Sequence, residues 1–419
     1  MSWTLPLALA LLVMVLGVYF KYNLSLIMLV SSLVIALLCR LTVIQILDVA
    51  YLTVTSRVTL ILFFSIILLE LLGHLLKETG AMQKIIDSLS QLLGDWRLLT
   101  AALSAVIGLL AVPGGAIMSA PMIEEVGRKT GFSAGGQAAA NFWFRHVLYF
   151  ALPLFPSMIL AAELAGVKVS VFTLYNLPIS VLGAVVSFFT IFKQADGISP
   201  RLESRASRED LRDYLKQFLF SSAPILVILF LVTIFQVLFP WAILTGIIVA
   251  FFSYLPRQDN LWAALKERFL NKVLPGVKFK TALMILGIMF FKHTLEYTSV
   301  VSSMAEYLVG TGAPVIILMF LIPFLMGLIT GDNSASIAII IPLFAPFLDC
   351  NAPGYLAQLA FLYFSSSLGH IFTPVHPCLV LTKEYFQVTF GQILKPLLLP
   401  ALLVVAIALV EVIWLGQVL

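Results

Sequence analysis

Gly327-Leu-Ile-Thr-Gly-Asp-Asn-Ser-Ala-Ser-Ile-Ala-Ile-Ile-Ile-Pro342 is the stretch on which the fold turns. Its two ends run into unbroken apolar sequence, while its middle holds two glycines, an Asp, an Asn and two serines. If Val315 to Phe347 enters a bilayer, this polar tip sits where water is scarce. Irregular backbone survives there only when it is buried in protein or lines a cavity. A carboxylate at that depth, Asp332, is a functional-site candidate by default.

The surrounding composition makes the bilayer the expected solvent. The chain has 419 residues, of which 61% are hydrophobic and 11% charged, with a mean hydropathy of +1.06. Soluble domains carry about a quarter charged residues, so a polytopic membrane protein is expected, with no soluble domain between its short polar stretches. The net charge of +4 carries no nucleic-acid signal; its distribution reports topology. Cys39, Cys350 and Cys378 lie far apart, with neither metal-ligand spacing nor a disulfide framework. Leu5 to Phe20 lacks a basic leader and a small-residue cleavage site, so it reads as a retained helix.

Apolar runs near the ~20 residues that cross a bilayer recur in order. Leu5 to Phe20, Leu24 to Cys39 and Val58 to Leu76 come first, followed by an amphipathic, interfacial Met82 to Leu93. Leu98 to Val126 is interrupted by Pro113-Gly114-Gly115, Ala138 to Leu164 by Pro153 and Pro156, and Val171 to Phe192 closes the half. Residues 193–217, with six Lys/Arg and five Asp/Glu, form a charged linker. The order then repeats: Phe218 to Leu238, Trp241 to Tyr254, Thr281 to Thr298, the interrupted Val315 to Phe347, Leu356 to Leu381 broken at Pro374 and Pro377, and Ile393 to Leu415.

The halves, 1–192 and 218–419, also match residue by residue. Pro121, Pro153, Pro156 and Glu163 fall on Pro342, Pro374, Pro377 and Glu384 at one constant offset. His74, Leu76, Thr79 and Gly108 fall on His293, Leu295, Thr298 and Gly327 at an offset two residues smaller. Internal duplication is the reading, since a Pro-x-x-Pro recurs in the corresponding broken helix of each half. With a cytoplasmic linker and re-entrant hairpins, 20 of the 25 Lys/Arg lie inside, as the positive-inside rule requires. The expected fold is thus an all-α polytopic membrane protein of two inverted repeats. Each repeat has three spans, a re-entrant hairpin, a Pro-broken helix and a closing span; both termini lie outside a cell (inner) membrane.

Paired broken helices place a binding site at the midplane. Half-helix N-termini suit anions, and unwound carbonyls suit cations. Thr330, Asp332, Asn333, Ser334 and Ser336 are hard oxygen ligands for Na⁺, and the Asp332 carboxylate is a protonatable group if the coupling ion is H⁺; beyond that Na⁺ at Asp332 no metal and no cofactor is expected. The structural alternative for Asp332 is a simple helix N-cap. Solute-binding candidates are Gly114 and Gly115, Arg145 and His146, Pro153 and Pro156, Ser366, His370, Pro374 and His376. Arg145 either pairs with Glu70 or presents a fixed positive charge to an anionic solute. The other half has Ser366 and Ser367 at the positions of Arg145 and His146. His370 and His376 are either proton carriers or hydrogen-bonded structural groups.

This arrangement resembles the ion transporter superfamily, which includes divalent-anion/sodium symporters and gluconate, citrate and arsenite permeases. Ala111-Val-Pro-Gly-Gly-Ala-Ile-Met-Ser-Ala-Pro121 is further similar to an uncharacterised prokaryotic integral-membrane family within that group. The resemblance implies the fold, the site between hairpin tips and broken helices, alternating access and, as in its relatives, a homodimer. In the divalent-anion symporters Ser-Asn-Thr triplets occupy the tips and breaks; here only Asp332-Asn333-Ser334 comes close.

The expected function is secondary transport of a small, anionic solute coupled to Na⁺ or H⁺. A cation/proton antiporter with Asp332 as carrier, or a lipid-linked phosphate flippase, are the alternatives. An enzyme is not expected: no His-Glu-x-x-His or Gly-x-Ser-Gly occurs, and Asp332 has no second intramembrane aspartate.

Overall fold

The computed structural model describes residues 4–20, 22–109, 115–193, 208–253, 266–267, 269–277, 279–298, 300, 303, 314–374 and 376–416. Among these the chain is helical throughout, with eighteen α-helices. The first half comprises α1 (Thr4–Tyr19), α2 (Leu24–Leu38), α3 (Val43–Thr55), α4 (Arg57–Glu78), α5 (Ala81–Leu92), α6 (Trp96–Leu109), α7 (Gly115–Thr130), α8 (Ala134–His146), α9 (Pro156–Leu164) and α10 (Val169–Phe192). The second comprises α11 (Arg208–Thr233), α12 (Phe239–Phe252), α13 (Phe279–Thr298), α14 (Val315–Thr330), α15 (Asn333–Phe344), α16 (Tyr355–Phe372), α17 (Pro377–Phe386) and α18 (Phe390–Gly416). Of these, α4, α10, most of α11 and α18 are long and apolar enough to cross a membrane.

The polarity is that of a protein dissolved in lipid. Along α10, Leu174, Leu177, Val181, Leu182, Val185 and Phe189 are exposed, while Thr173, Asn176, Ser180, Gly183 and Ser187 face inward. Helical periodicity is intact but inverted: apolar side chains face outward, and hydroxyls and amides face in. Close helix contact needs small residues where lipid supplies no hydrophobic drive between helices. Gly327 on α14 and Gly369 on α16 meet this need, since a Cβ on either would overlap the other helix's backbone at Ser366 or Phe324. In the first half Gly108 on α6 takes the same part against the Arg145 backbone of α8. Gly108 and Gly327 are the pair matched between the halves.

The packing exchanges under a swap of halves. α1 packs on α2 as α11 does on α12, and α2 packs on α13 as α12 does on α4. The hairpin arm α6 lies on α8 as α14 lies on α16, and α10 packs on its counterpart α18. Each hairpin's second arm also reaches across: α7 contacts α17, and α15 contacts α9.

Three boundaries differ from the sequence reading. α3 is a helix where no element is expected. Its apolar residues are too few for a span, but Thr42 and Gln45 close a capping box at its start. The charged linker ends early, because α11 begins at Arg208 and carries Asp213 and Lys216 as a helical ion pair. The first broken helix opens well before Pro153, at His146; a 3₁₀ turn over Val147–Phe150 follows, and α9 restarts at Pro156. Pro153 has no N–H to offer the Tyr149 carbonyl, and side chains from other helices take up the carbonyls freed on its upstream side. Ser180 of α10 donates to the Val147 carbonyl (2.7 Å), and Tyr363 of α16 donates to that of Tyr149 (2.9 Å). Such groups must be satisfied internally away from water.

Candidate functional site

The tip between α14 and α15 is built by three residues. Thr330 ends α14, Gly331 turns left-handed at φ 63°, and Asp332 caps α15 with Oδ1 accepting from the Ala335 amide at 2.8 Å. Thr330 Oγ1 donates to the Asp332 carbonyl at 3.0 Å, tightening the turn. The capping role of Asp332 is therefore real. Its carboxylate nevertheless also faces a cavity.

Asn333, the next residue, is 4% exposed and joins both broken helices. Its Nδ2 donates to Ser157 Oγ at 3.0 Å, in the first half, and to Ser367 Oγ at 2.9 Å, in the second. Its Oδ1 accepts from Ser366 Oγ at 3.0 Å, and Ser366 Oγ stands 2.7 Å from Ser336 Oγ. Ser157 continues the chain to the Tyr363 hydroxyl (3.2 Å), which ends on the Tyr149 carbonyl. One amide at the hairpin tip thus organises hydroxyls from three helices, α9, α15 and α16.

Beside this network lies a cavity of about 420 Å³. The tip supplies Asp332, Asn333 and Ser334; the first break supplies Tyr149, Pro156 and Ser157; α16 supplies His370. The opposite wall is α4, which lines the cavity with Glu70, His74 and Lys77. These three recur at helical spacing, so they share one face. Glu70 Oε2 and His74 Nε2 are buried with no hydrogen-bond partner among the described residues, as is His370 Nδ1. Buried polar groups are normally satisfied, and three such atoms around one cavity point to a polar occupant. A second cavity of about 450 Å³, lined by Arg57, Glu163 and Lys168, includes neither the α14–α15 tip nor α16.

The solute candidates divide. Pro156, Ser366 and His370 belong to the cavity or its network, whereas Thr330 and Ser336 support it from behind. Pro153 is buried within the first break, and Pro374 is exposed at the second; neither lines the cavity. Gly114 lies outside the described residues, and Gly115 is the first residue of α7. Arg145, His146 and His376 gather in a buried cluster behind the cavity wall, where the His376 ring centroid lies 4.2 Å from that of His370 and the His146 ring centroid 5.6 Å from that of Tyr149. Arg145 Nη2 donates to Ser119 Oγ (3.0 Å), which bonds Asn141 Oδ1 (2.5 Å), and the guanidinium also contacts the Cys378 thiol. The alternative pairing of Arg145 with Glu70 does not form, because Glu70 faces the cavity instead.

Glu70, His74, Lys77, Tyr149 and Ser157 escaped the sequence reading as site residues. A usable signal existed for three of them: ionisable residues spaced along one face of a single apolar span. Tyr149 and Ser157 carried none, since each acts through a break whose extent the prolines misplace.

A family model described as a protein of unknown function, DUF401, matches residues 4–416, nearly the whole chain. The chain belongs to the DUF401 family. Among curated proteins this DUF401 member has no match. Among solved structures it is similar to the YdaH transporter of Alcanivorax borkumensis, described as having an unusual topology. The TM-score is 0.62 at 16% sequence identity, with 90% of each chain covered. At that identity the likeness establishes a shared fold for the DUF401 chain.

Proposed function

We propose that this DUF401 protein is a secondary transporter that binds a small polar solute in the cavity between the α14–α15 tip, the two broken helices and α4. The observation that carries this reading is Asn333. It ties the hairpin tip to Ser157 in one half and to Ser366 and Ser367 in the other, at the rim of a cavity holding unpartnered polar atoms. A site shared by two halves is what alternating access requires, because relative movement of the halves changes which side it opens to. The solved transporter of similar fold supports the reading, as does the resemblance to the ion transporter superfamily.

The membrane arrangement in this proposal follows from length and charge. At about 1.5 Å per residue, α15 with its 12 residues is roughly 18 Å long, short of the ~30 Å hydrocarbon core. The α14–α15 pair is therefore re-entrant, the repeats are inverted, and the basic linker faces the cytoplasm of a cell membrane. Asp332 serves as the coupling carboxylate for Na⁺ or H⁺, and a solute with an acidic group finds His74, Lys77 and His370 on the walls.

A thermal-stabilisation screen of the purified protein against small carboxylates, each with and without Na⁺ and at two pH values, tests this. An ion-dependent shift is expected in the native chain and absent in Asp332→Asn. Persistence of the shift in that variant overturns Asp332 as coupling residue. The cavity holds two carboxylates, Glu70 and Asp332, which favours cation/proton antiport as the second reading. In proteoliposomes solute uptake driven by an ion gradient supports symport, whereas proton efflux driven by Na⁺ alone supports antiport.

A further inference from the structure

We propose that His146, His376 and Cys378 form a site for one soft, thiophilic, monovalent cation of the Cu⁺/Ag⁺ class, which staples the two halves of the chain together. This goes beyond solute transport and does not depend on it, since none of the three lines the cavity. His146 ends α8 in the first half, and His376 and Cys378 straddle the start of α17 in the second. The two Nε2 atoms are 3.0 Å apart although the residues are separated by 230 positions. The Cys378 Sγ joins them in a group whose ligand atoms all lie within 4.8 Å of one another.

The geometry and the lone pairs suit a shared ion. Two nitrogens 3.0 Å apart subtend roughly 95° at an ion about 2.0 Å from each. At bond lengths of about 2.0 and 2.3 Å a three-coordinate ion holds sulfur about 3.9 Å from each nitrogen, so from the 4.8 Å limit the thiol closes by up to about 0.9 Å. His146 Nδ1 lies 2.6 Å from the Phe142 carbonyl and must be the donor there. That bond leaves its Nε2 unprotonated, so in the ion-free chain His376 Nε2–H donates to it. The ion replaces that proton, which His376 then carries on Nδ1, and the thiol of Cys378 releases its own proton on binding. Both rings are almost wholly buried, at 1% and 3% exposed. Soft thiolate and imidazole donors select Cu⁺ and Zn²⁺ from the available ions.

Charge decides between the two. Arg145 already places a guanidinium against Cys378. A Cys thiolate neutralises one positive charge, so Cu⁺ or Ag⁺ adds none to the interior, whereas Zn²⁺ leaves a second positive charge beside the first. Buried unpaired charge is costly, and more so within a bilayer.

The test uses the full-length chain carrying Cys39→Ser and Cys350→Ser, which removes the other thiols. One equivalent of Ag⁺ or, anaerobically, Cu⁺ is expected to bind and to raise the melting temperature. Affinity should fall at least tenfold in Cys378→Ser and in His376→Gln. X-ray absorption of the copper-loaded reference chain, which needs no site variant, should report one sulfur and two nitrogens. Absence of binding, a sulfur-free shell, or affinity unchanged by Cys378→Ser overturns the site, and Zn²⁺ binding as tight as Ag⁺ overturns its monovalent character. Each of these failures leaves the Asp332 dependence of solute stabilisation unaffected, so the two readings fall separately.

Discussion

At the scale of single residues, Asp332 and Asn333 separate two kinds of work done by adjacent side chains. Asp332 is a helix cap with one oxygen and a cavity wall with its face. Asn caps about as well as Asp, so Asp332→Asn should change unliganded stability by no more than about 0.5 kcal/mol. The same substitution removes ion dependence, which separates loss of charge from loss of fold. Asn333 is different. Its amide makes three buried hydrogen bonds, and Asn333→Ala removes all three, although Ser157 keeps the Tyr363 hydroxyl and Ser366 keeps Ser336. At about 0.5–1.5 kcal/mol for each bond lost, a loss of roughly 2–4 kcal/mol is expected, read as a lower melting temperature in detergent. This pair was legible in the sequence because polar residues in an apolar run declare themselves. The meeting of His146 with His376 was not legible, since a contact across 230 residues leaves no local trace.

At the scale of elements, the close approach of α14 to α16 depends on the absence of two side chains. Gly327→Ala inserts a methyl against the Ser366 carbonyl and pushes apart the helices that carry the tip and its serine partners. Overpacking of this kind costs about 1–3 kcal/mol. Loss of solute-dependent stabilisation is expected beyond that global cost, as the serine network loses register with Asn333. A Gly327→Ala chain that keeps full ligand-induced stabilisation would disconnect this contact from the site. The hairpins and the second break were readable from glycines and prolines placed against hydropathy. The first break was misread by several residues because hydroxyls on α10 and α16 satisfy carbonyls upstream of Pro153 and let the helix end early. Pro156 marks where α9 restarts, whereas α8 stops at His146, well before Pro153.

At the scale of the whole molecule, the halves exchange equivalent packing partners, and the proposed orientation rests on the charge pattern. Cys350 is an exposed thiol just beyond α15, on the outer face in the proposed orientation. A membrane-impermeant maleimide should label it in intact cells carrying Cys39→Ser and Cys378→Ser. Labelling only after permeabilisation reverses the orientation. The overall plan was legible because duplication repeats weak signals, such as a Pro-x-x-Pro in each half, until chance no longer explains them. The cavity was less so: its α4 wall offers Glu70, His74 and Lys77 from a helix that reads as plain scaffold.

The Tyr363 hydroxyl, contributed by the second half, closes the carbonyl that the first half leaves open at Tyr149, and Asn333 does the same for the Ser157 hydroxyl. Neither half is a module that survives deletion of the other. A truncated chain would hold naked dipoles in hydrocarbon, whereas a chain cut within the charged linker keeps every one of these bonds. Continuity of the polypeptide is expendable; the company of its twin is not.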